Sequence, residues 1–419
     1  MFLAILGGAW QQLLNPDARA GAGVFVLLAL LAGLGMGVAS WVRTSYWIDE
    51  SELRIDTGLL SRQSRRIRID RLQGVDIVQP FVARLFGHAQ LNFDVAGGDT
   101  EGSLAFLRMA EAEEVRSVLL ERRDQLRAPG QSASPDVPHA VPEERELARL
   151  DLRLLAYSTL LSFEMVAFVV GAAATGLAMI VTGSAAAGLG VALPAVLGGG
   201  FALFRQVNAN YGHVVSDSQA GLVLRRGMLS LSRQTVALPR VQGVRISEPL
   251  LWRPFGWARL EVSVAGASGS VEQSLTSSVL MPVATRDVVR ALAVHALRGL
   301  DPDAVALEPV PRRARWRAPV SARWQALGAT PDVVVSRRGF FTRRTDVAPT
   351  TRVQSLGLVQ GPWSRSLGLA DLQVHSPVGT VTVLGRFRDQ GDARAFLERL
   401  VVDTRAARLS GGRVTDKSV

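Results

Sequence analysis

The chain has no cysteine, and Lys417 is the single lysine among its 419 residues. Without cysteine it has no disulfide, no thiolate metal site and no cysteine nucleophile. Its five histidines are scattered, without the spacing of metal ligands. We also find no Gly-rich nucleotide loop and no Ser, His and Asp set typical of a hydrolase. We therefore predict a protein that is not an enzyme and needs no metal or other cofactor.

Long apolar runs predict a membrane protein. Residues 21–42 are uncharged and long enough for one transmembrane helix, and Trp41 and Trp47 stand where an aromatic belt belongs. Residues 1–14 are apolar but short for a bilayer, so they fit either a short span or an interfacial helix. The predicted N-terminal membrane region is 1–43.

A second membrane block is predicted at 154–205. It contains two apolar runs, 154–181 and 185–204, and the short turn between them indicates a tight helical hairpin rich in Gly and Ala. Glu164 lies within the first run, where a carboxylate is costly and is a functional candidate by default. The structural alternative is that Glu164 is protonated, or that it bonds to another subunit or to a nearby hydroxyl, with Ser158, Ser162 and Thr175 as the candidates.

One pattern occurs three times without gaps, beginning at Gly58, Gly227 and Gly339. An Arg-x-Gln sequence follows 13 residues after each first glycine, and a second glycine follows 29 residues after it. These repeated residues are interpreted either as a ligand-facing edge or as partners of backbone groups within each domain. The Arg-x-Gln residues are Arg71, Gln73, Arg240, Gln242, Arg352 and Gln354, and Arg84, Arg253 and Arg365 form a further repeated set.

Within each copy, alternating apolar and polar residues predict antiparallel strands, and a helical period follows them. The first glycine of each copy is predicted to lie in a hairpin turn that requires a positive φ. The predicted soluble domains are 44–127, 206–300 and 326–409, and the last residues, 410–419, form a tail. A linker and charged helical lead-in are predicted at 128–153, and a basic linker with tryptophans at 301–325.

Charge is distributed unevenly over the chain. Residues 43–153 carry a net charge of −3, whereas residues 205–300 carry +6 and residues 301–419 carry +8. The turns predicted on the other side of the membrane hold almost no arginine, so the positive-inside rule places all three domains in the cytoplasm. Basic domains beside an anionic leaflet favour lipid over nucleic acid as a partner, since no nucleic-acid-binding motif is present.

The sequence Tyr46-Trp47-Ile48-Asp49-Glu50, followed by Arg71-Leu72-Gln73-Gly74, resembles the bacterial pleckstrin-homology-like membrane proteins of the YdbS/YdbT type, also called DUF304. The larger members carry three such domains. The resemblance implies antiparallel β-sandwich or barrel domains, each closed by a C-terminal helix, together with transmembrane hairpins. It implies no established reaction. The third copy departs from the pattern, with Ser355 in place of the glycine at Gly74 and Gly243.

Basic residues flank the opening hairpin of the second and third domains, as in lipid-binding pleckstrin-homology domains. Phe340 and Phe341 lie between four of these arginines, which favours contact with a membrane surface, and a solvated basic face is the alternative. In the linker, Trp316 and Trp324 alternate with arginine and fit either a bilayer interface or packing on a domain. The full set of lipid-binding candidates is Arg225, Arg226, Arg233, Arg337, Arg338, Phe340, Phe341, Arg343 and Arg344.

These observations predict a non-catalytic, multi-pass protein of the bacterial cytoplasmic membrane. Its cytoplasmic domains are expected to bind a protein or peptide partner or anionic lipid headgroups, in a scaffold or envelope-stress role, and the chain is a candidate for oligomerisation. The alternative is a transporter or transport-accessory protein that uses the hairpin bearing Glu164.

Overall fold

The structure is a computed structural model. It describes residues 45–49, 51–57, 63–95, 102–127, 144–182, 198–201, 203–219, 221–264, 279–376 and 381–414. The predicted span at 21–42, the segment 1–14, Trp41 and Gly58 lie outside the described residues, as does most of the predicted return helix at 185–204.

The first repeat folds into two sets of three antiparallel strands followed by a helix, as predicted. The alternating residues, such as Leu53, Ile55 and Phe93, point inward and form a buried core with Leu119 of the helix. Its elements are β1 (Ser45–Ile48), β2 (Glu52–Thr57), β3 (Gln63–Arg68), β4 (Leu72–Gln79), α1 (Phe81–Leu85), β5 (His88–Val95), β6 (Gly102–Arg108) and α2 (Met109–Arg127).

The second repeat has the same order, but its first strand precedes the membrane block. Its core includes Leu224, Leu260 and Leu292. The elements are β7 (Arg145–Arg149), α3 (Leu152–Leu160), α4 (Phe163–Thr182), β8 (Val214–Ser218), β9 (Gly221–Arg226), β10 (Leu231–Val236), β11 (Val241–Pro249), β12 (Trp257–Val264), β13 (Val279–Thr285) and α5 (Arg286–Ala296).

The helical lead-in predicted within 128–153 is wrong for residues 145–149, and a helix begins only at Leu152. Residues Arg145–Arg149 form β7, which pairs antiparallel with β8 on the far side of the membrane block. Five residues are too few for a period to separate helix from strand, and the pairing partner lies more than 60 residues away in sequence. The second domain therefore begins near residue 144, not 206.

The third repeat also begins earlier than predicted, because a short strand and a helix lie within the 301–325 linker. Its core contains Val334, Leu372 and Phe396. The elements are β14 (Glu308–Pro309), α6 (Ala314–Arg317), β15 (Ala326–Ala329), β16 (Val333–Arg338), β17 (Thr342–Pro349), β18 (Ser355–Val359), α7 (Pro362–Ser366), β19 (Leu369–His375), β20 (Val383–Asp389) and α8 (Gln390–Val414).

The predicted continuous helix over 154–181 is interrupted. No single described helix is long and apolar enough to cross a bilayer, and the pair α3 and α4, bent by 47°, meets that test together. The Ser158 and Thr159 hydroxyls both donate to the Leu155 carbonyl, and the Ser162 hydroxyl accepts from the Met165 N–H. Such side-chain bonds compete with helical ones and cap a new helix, which accounts for the bend.

Sheets run continuously from one domain into the next. One seven-stranded sheet has the order β6-β5-β4-β10-β9-β8-β7, and a second has the order β13-β12-β11-β17-β16-β15-β14. Each combines the second sheet of one domain with the first sheet of the following domain. We call the β4–β10 contact the first junction and the β11–β17 contact the second junction.

Candidate functional site

The two junctions use the same register. In the first, Gln79 pairs with Leu231, 21 and 4 residues after the first glycines of their domains. In the second, Pro249 pairs with Thr342, 22 and 3 residues after theirs. Both pairs of offsets sum to 25, so consecutive domains are joined in one repeating geometry. The second junction is the longer, with six residue pairs against three.

A repeated arginine crosses each junction at the same place. Arg84 donates from Nη1 to the Met228 carbonyl at 2.8 Å, and Arg253 donates from Nη2 to the Phe340 carbonyl at 2.5 Å. Each acceptor follows the first glycine of the next domain by one residue. This repeated arginine therefore holds the opening hairpin of the neighbouring domain, a role that spacing alone did not reveal.

Close packing at the second junction explains why a glycine follows the Arg-x-Gln sequence in the second repeat. A Cβ on Gly243 would lie 2.6 Å from the Val347 carbonyl oxygen of β17, a distance that real Cβ atoms do not adopt. The neighbouring domain thus approaches too closely for any side chain. In the third copy Ser355 stands at this position, and β18 has no following domain beside it in the described part of the chain.

Buried charge pairs tie the second junction together. Asp346 is fully buried and accepts from Arg245 Nε at 2.5 Å, across the junction, and from Arg338 Nη2 at 2.9 Å. Glu248 lies opposite Arg343 and accepts from it at 3.3 Å, and it also binds Arg286. Desolvation by burial lowers the pKa of Arg338, and the neighbouring Asp346 charge opposes this shift. Sequence reasoning missed both acids, because only strand pairing brings them to these arginines.

The lipid-binding candidates of the second domain are largely occupied within the protein. Arg225 binds Glu144 at 2.7 Å, and Arg233 contacts the other oxygen of the same carboxylate. Burial lowers the pKa of Arg226, and this residue also has an interaction within the protein. Gly227 has φ 113°, as its predicted hairpin turn requires. The arginines on both sides of the Gly227 hairpin therefore make contacts within the protein, at or near the first junction.

In the third domain the candidates divide between the junction and the surface. Arg338 and Arg343 take part in the charge pairs described above, and the Phe340 ring lies 5.8 Å from Trp324. Arg344 and Phe341 are exposed, and Phe341 keeps 69% of its surface accessible. Arg337 is half-buried.

The predicted Arg-x-Gln residues are not gathered into one site. Arg352 donates to the Pro239 carbonyl of the preceding domain at 2.5 Å. Gln242 is buried and donates to the Arg240 carbonyl at 3.2 Å. Arg71 and Gln354 lie exposed in different domains, and Arg240 is half-buried with a partner of its own. The Gln73 side chain lies outside the part of the chain that the structure describes.

The interface tryptophans have different environments. Trp324 packs in the second junction, with the guanidinium carbons of Arg253, Arg323 and Arg343 lying 5.1–5.9 Å from its ring centroid. Trp316 and Trp47 are exposed. Packing on a domain therefore describes Trp324, whereas exposure at Trp316 agrees with the interfacial alternative.

Glu164 lies in the first turn of α4 and is exposed. The alternative of a bond to a neighbouring hydroxyl is not observed: the Ser158 and Thr175 hydroxyls donate to carbonyls of their own helices, and the Ser162 hydroxyl accepts from the Met165 N–H. Among the described residues no ionisable side chain pairs with it. The bend beside it is instead held by Trp252, whose indole N–H donates to the Ser158 carbonyl at 3.1 Å.

Exposed apolar side chains lie on the short segment that follows β4, β11 and β18, and we call this segment the corner of each domain. In the second junction the corner lies against the next hairpin, since the Leu250 N–H donates to the Phe341 carbonyl at 2.7 Å. Large exposed patches of this kind mark contact with a membrane or a protein. The exposed corner residues are Phe81, Leu85 and Phe86 in the first domain, Leu250, Leu251 and Phe255 in the second, and Trp363 in the third.

An open depression of about 760 Å³ lies beside α5 in the second domain. Two of its lining residues have charged neighbours: Arg290 binds Asp301 at 2.7 Å, and His295 lies 3.4 Å from Asp217. Within the described ranges no three acidic or histidine side chains are grouped to hold a metal ion.

A model of the bacterial PH domain family matches residues 2–123, 161–299 and 304–401. The chain belongs to the bacterial PH domain family. This confirms the resemblance drawn from the sequence, and the antiparallel sheets agree with several PH-like domains. The chain is also similar to the UPF0699 transmembrane protein YdbT of Bacillus subtilis (strain 168), with 23% identity over 307 residues. That match covers 66% of this chain and spans 60% of the relative's length.

Proposed function

We propose that the protein is a non-catalytic, multi-pass protein of the bacterial cytoplasmic membrane whose tandem domains contact the anionic cytoplasmic surface. Membrane residence is supported by the apolar runs at 21–42 and 154–181 and by the relative whose name contains "transmembrane". The cytoplasmic orientation is supported by Arg43 and Arg205, which flank the two predicted membrane blocks on the side of the domains.

The observation that carries surface contact is the exposed corner at the second junction. Leu250, Phe255 and Phe341 are large and apolar, and each leaves about 40% or more of its surface accessible. Exposed Arg344 follows Phe341 by three residues. Aromatic and aliphatic groups flanked by arginine suit the headgroup region, where apolar stems enter the bilayer and guanidinium groups meet phosphates.

The mode of contact differs from the sequence-based hypothesis of a headgroup pocket between the hairpin strands. Such a pocket needs arginines free to bind phosphate, but Arg225, Arg233, Arg338 and Arg343 are already bound to carboxylates of this chain. We therefore favour a surface contact that is general for anionic lipids. Each basic group near such a surface contributes about 1 kcal/mol.

Transport is less well supported. A proton or ion path needs polar partners that converge within the spans. In the described part of the chain Glu164 has no such partner, and its neighbouring hydroxyls are bound to their own helices.

A fluorescent probe at position 341 tests this proposal on the full chain. Because the chain has no cysteine, Phe341→Cys gives a single labelling site for an environment-sensitive dye. In proteoliposomes with anionic lipid we expect blue-shifted emission and quenching by spin-labelled lipid. Both effects should weaken when the anionic lipid is replaced by phosphatidylcholine.

The matched control is Val402→Cys, which replaces an exposed apolar residue of α8 in the same domain. We expect the dye at position 402 to report water in both lipid mixtures. Identical emission and quenching at the two positions would contradict membrane contact by the corner and would favour a protein partner there.

A further inference from the structure

Two strands at opposite ends of the three-domain array each have one unpaired edge. Within the described residues β3 pairs only with β2, and β18 pairs only with β19. Strand β3 occupies the place in the first domain that β10 and β17 occupy in the others. Strand β18 likewise corresponds to β4 and β11. The two open edges are therefore the two halves of one more junction.

The residues on the open edges are more exposed than their counterparts in the junctions. Ser64 and Arg66 are exposed, whereas Thr345 and Val347, at the same offsets in β17, are half-buried and buried. On the other strand, Val359 is 49% exposed, whereas Ser247 at the same offset in β11 is buried. An open strand edge with such residues is a ready template for pairing with another chain.

The repeated arginine gives a second, independent indication. Arg84 and Arg253 each hold the hairpin of the following domain through a backbone carbonyl. Arg365 is the third member of this set, with the same offset from its first glycine. It is exposed, and its guanidinium donates to no other described residue. Arg365 thus matches the clamping arginines of the two junctions, although within the described residues no domain lies beside β18.

We propose that β18 of one copy of this chain pairs antiparallel with β3 of a second copy, in the register of the two internal junctions. The common offset sum of 25 sets Leu358 opposite Ser64 and Val359 opposite Gln63. Arg365 then takes the place that Arg84 and Arg253 have in the internal junctions. The partner is a second copy because the first domain carries the complementary strand.

Ser355 sets the length of this contact. At the corresponding Gly243 a Cβ would meet the neighbouring carbonyl at 2.6 Å, so the strands cannot stay close at Ser355. The first junction is a shorter contact, in which Ile77, Val78 and Gln79 of β4 pair with β10. The contact between copies resembles this three-pair form. It is weaker than the second junction and reversible.

The contact joins different surfaces of the two copies, so it is heterologous and leaves one open edge at each end. Repetition produces either a ring or an open row of molecules. Domains anchored in a membrane can extend such a row along the surface.

Disulfide crosslinking in membranes tests the proposal with the full chain. Differently tagged Ser64→Cys and Leu358→Cys chains are produced together and oxidised, and the absence of native cysteine removes background. We expect a crosslinked dimer that carries both tags, and no dimer when either variant is produced alone. Replacing Leu358→Cys by Val359→Cys moves the thiol to the other sheet face and should abolish the product.

Arg365→Ala, added to the Leu358→Cys chain, is expected to lower the crosslinking rate about tenfold, because a charge-assisted hydrogen bond is lost. Arg405→Ala removes the same charge from an exposed site on α8 and should leave the rate unchanged. Failure of the mixed pair to crosslink would overturn the proposal. So would a dimer formed by Ser64→Cys alone, or equal rates at positions 358 and 359.

Discussion

Asp346 lies opposite Arg245 across the second junction, with Oδ1 2.5 Å from Nε and the carboxylate fully buried. The same carboxylate binds Arg338 of its own domain. A buried acid shared by arginines of two domains makes the charges of one domain depend on the position of the other. The junction is therefore an internal interface with its own chemistry, and domains 2 and 3 should unfold together.

Replacing Asp346→Asn should destabilise both domains. The change leaves Arg245 and Arg338 without a buried counter-charge, and breaking such a pair costs about 3 kcal/mol. We expect one lowered thermal transition for the detergent-solubilised chain. The exposed Asp332→Asn in the same domain is the control, and its effect should stay within about 0.5 kcal/mol. Equal effects of the two changes would contradict this account of the junction.

Two glycines in corresponding strands should respond differently to alanine. Gly243→Ala places a Cβ 2.6 Å from the Val347 carbonyl and should separate β11 from β17, at a cost of about 1–3 kcal/mol. At Gly357 of β18 the nearest atoms, Gln373 Cβ and His375 Nε2, are 3.9 Å away, so alanine fits. Proteolysis of the 301–325 segment provides the measurement. We expect faster cleavage for the first variant alone, and equal rates would argue against steric selection of Gly243.

His213 should make stability depend on pH. Burial lowers its pKa to about 4, the nearby Arg226 charge adds to the shift, and the Leu280 carbonyl opposes it. The unfolded chain binds the proton near pH 6.5, so stability is full above that value and falls as the pH drops towards 4. The loss is about 3 kcal/mol by linkage.

The unfolding midpoint of wild-type protein, measured between pH 7 and pH 4, checks this prediction against His213→Gln. The variant should lose most of the slope in this range. His375→Gln, at an exposed histidine, should keep it. A wild-type slope that survives in His213→Gln would show that other groups control the acid response.

Membrane orientation is checked with reporter fusions. Arginine placement predicts that residue 127 is cytoplasmic and that the turn at 182–184 is periplasmic. A periplasmic phosphatase fused after residue 127 should therefore be inactive, and the same enzyme fused after residue 183 should be active. The opposite result would place the domains on the other side of the membrane.

The repeat, the strand-then-helix order and the family could be predicted because they rest on local patterns. Alternation placed β2, β3 and β5, and a helical period placed α2 and α8 to within a few residues. The glycines predicted in hairpins have positive φ where they are described, 113° at Gly227 and 96° at Gly339. These features depend on neighbours along the chain, which a sequence displays directly.

The junctions could not be predicted, because their contacts join residues far apart in sequence. Glu144 reaches Arg233 across the membrane block, and β7 becomes a strand only because β8 supplies its hydrogen bonds. The repeated Arg253 was recognised, but its acceptor is a backbone carbonyl, which leaves no trace in the sequence. Basic residues around a hairpin look alike whether a carboxylate or a phosphate binds them.

A crosslink across the second junction tests the shared-sheet account most directly. Ser247→Cys and Arg344→Cys lie opposite each other in β11 and β17, and peptide mapping after oxidation of the full chain can detect their bond. We predict a disulfide-linked peptide pair in high yield. The variant with Ser247→Cys and Arg343→Cys is shifted by one residue. It should give little disulfide-linked peptide, because the two side chains point to opposite sheet faces. No link in the first variant, or equal yields in both, would contradict the continuous sheet.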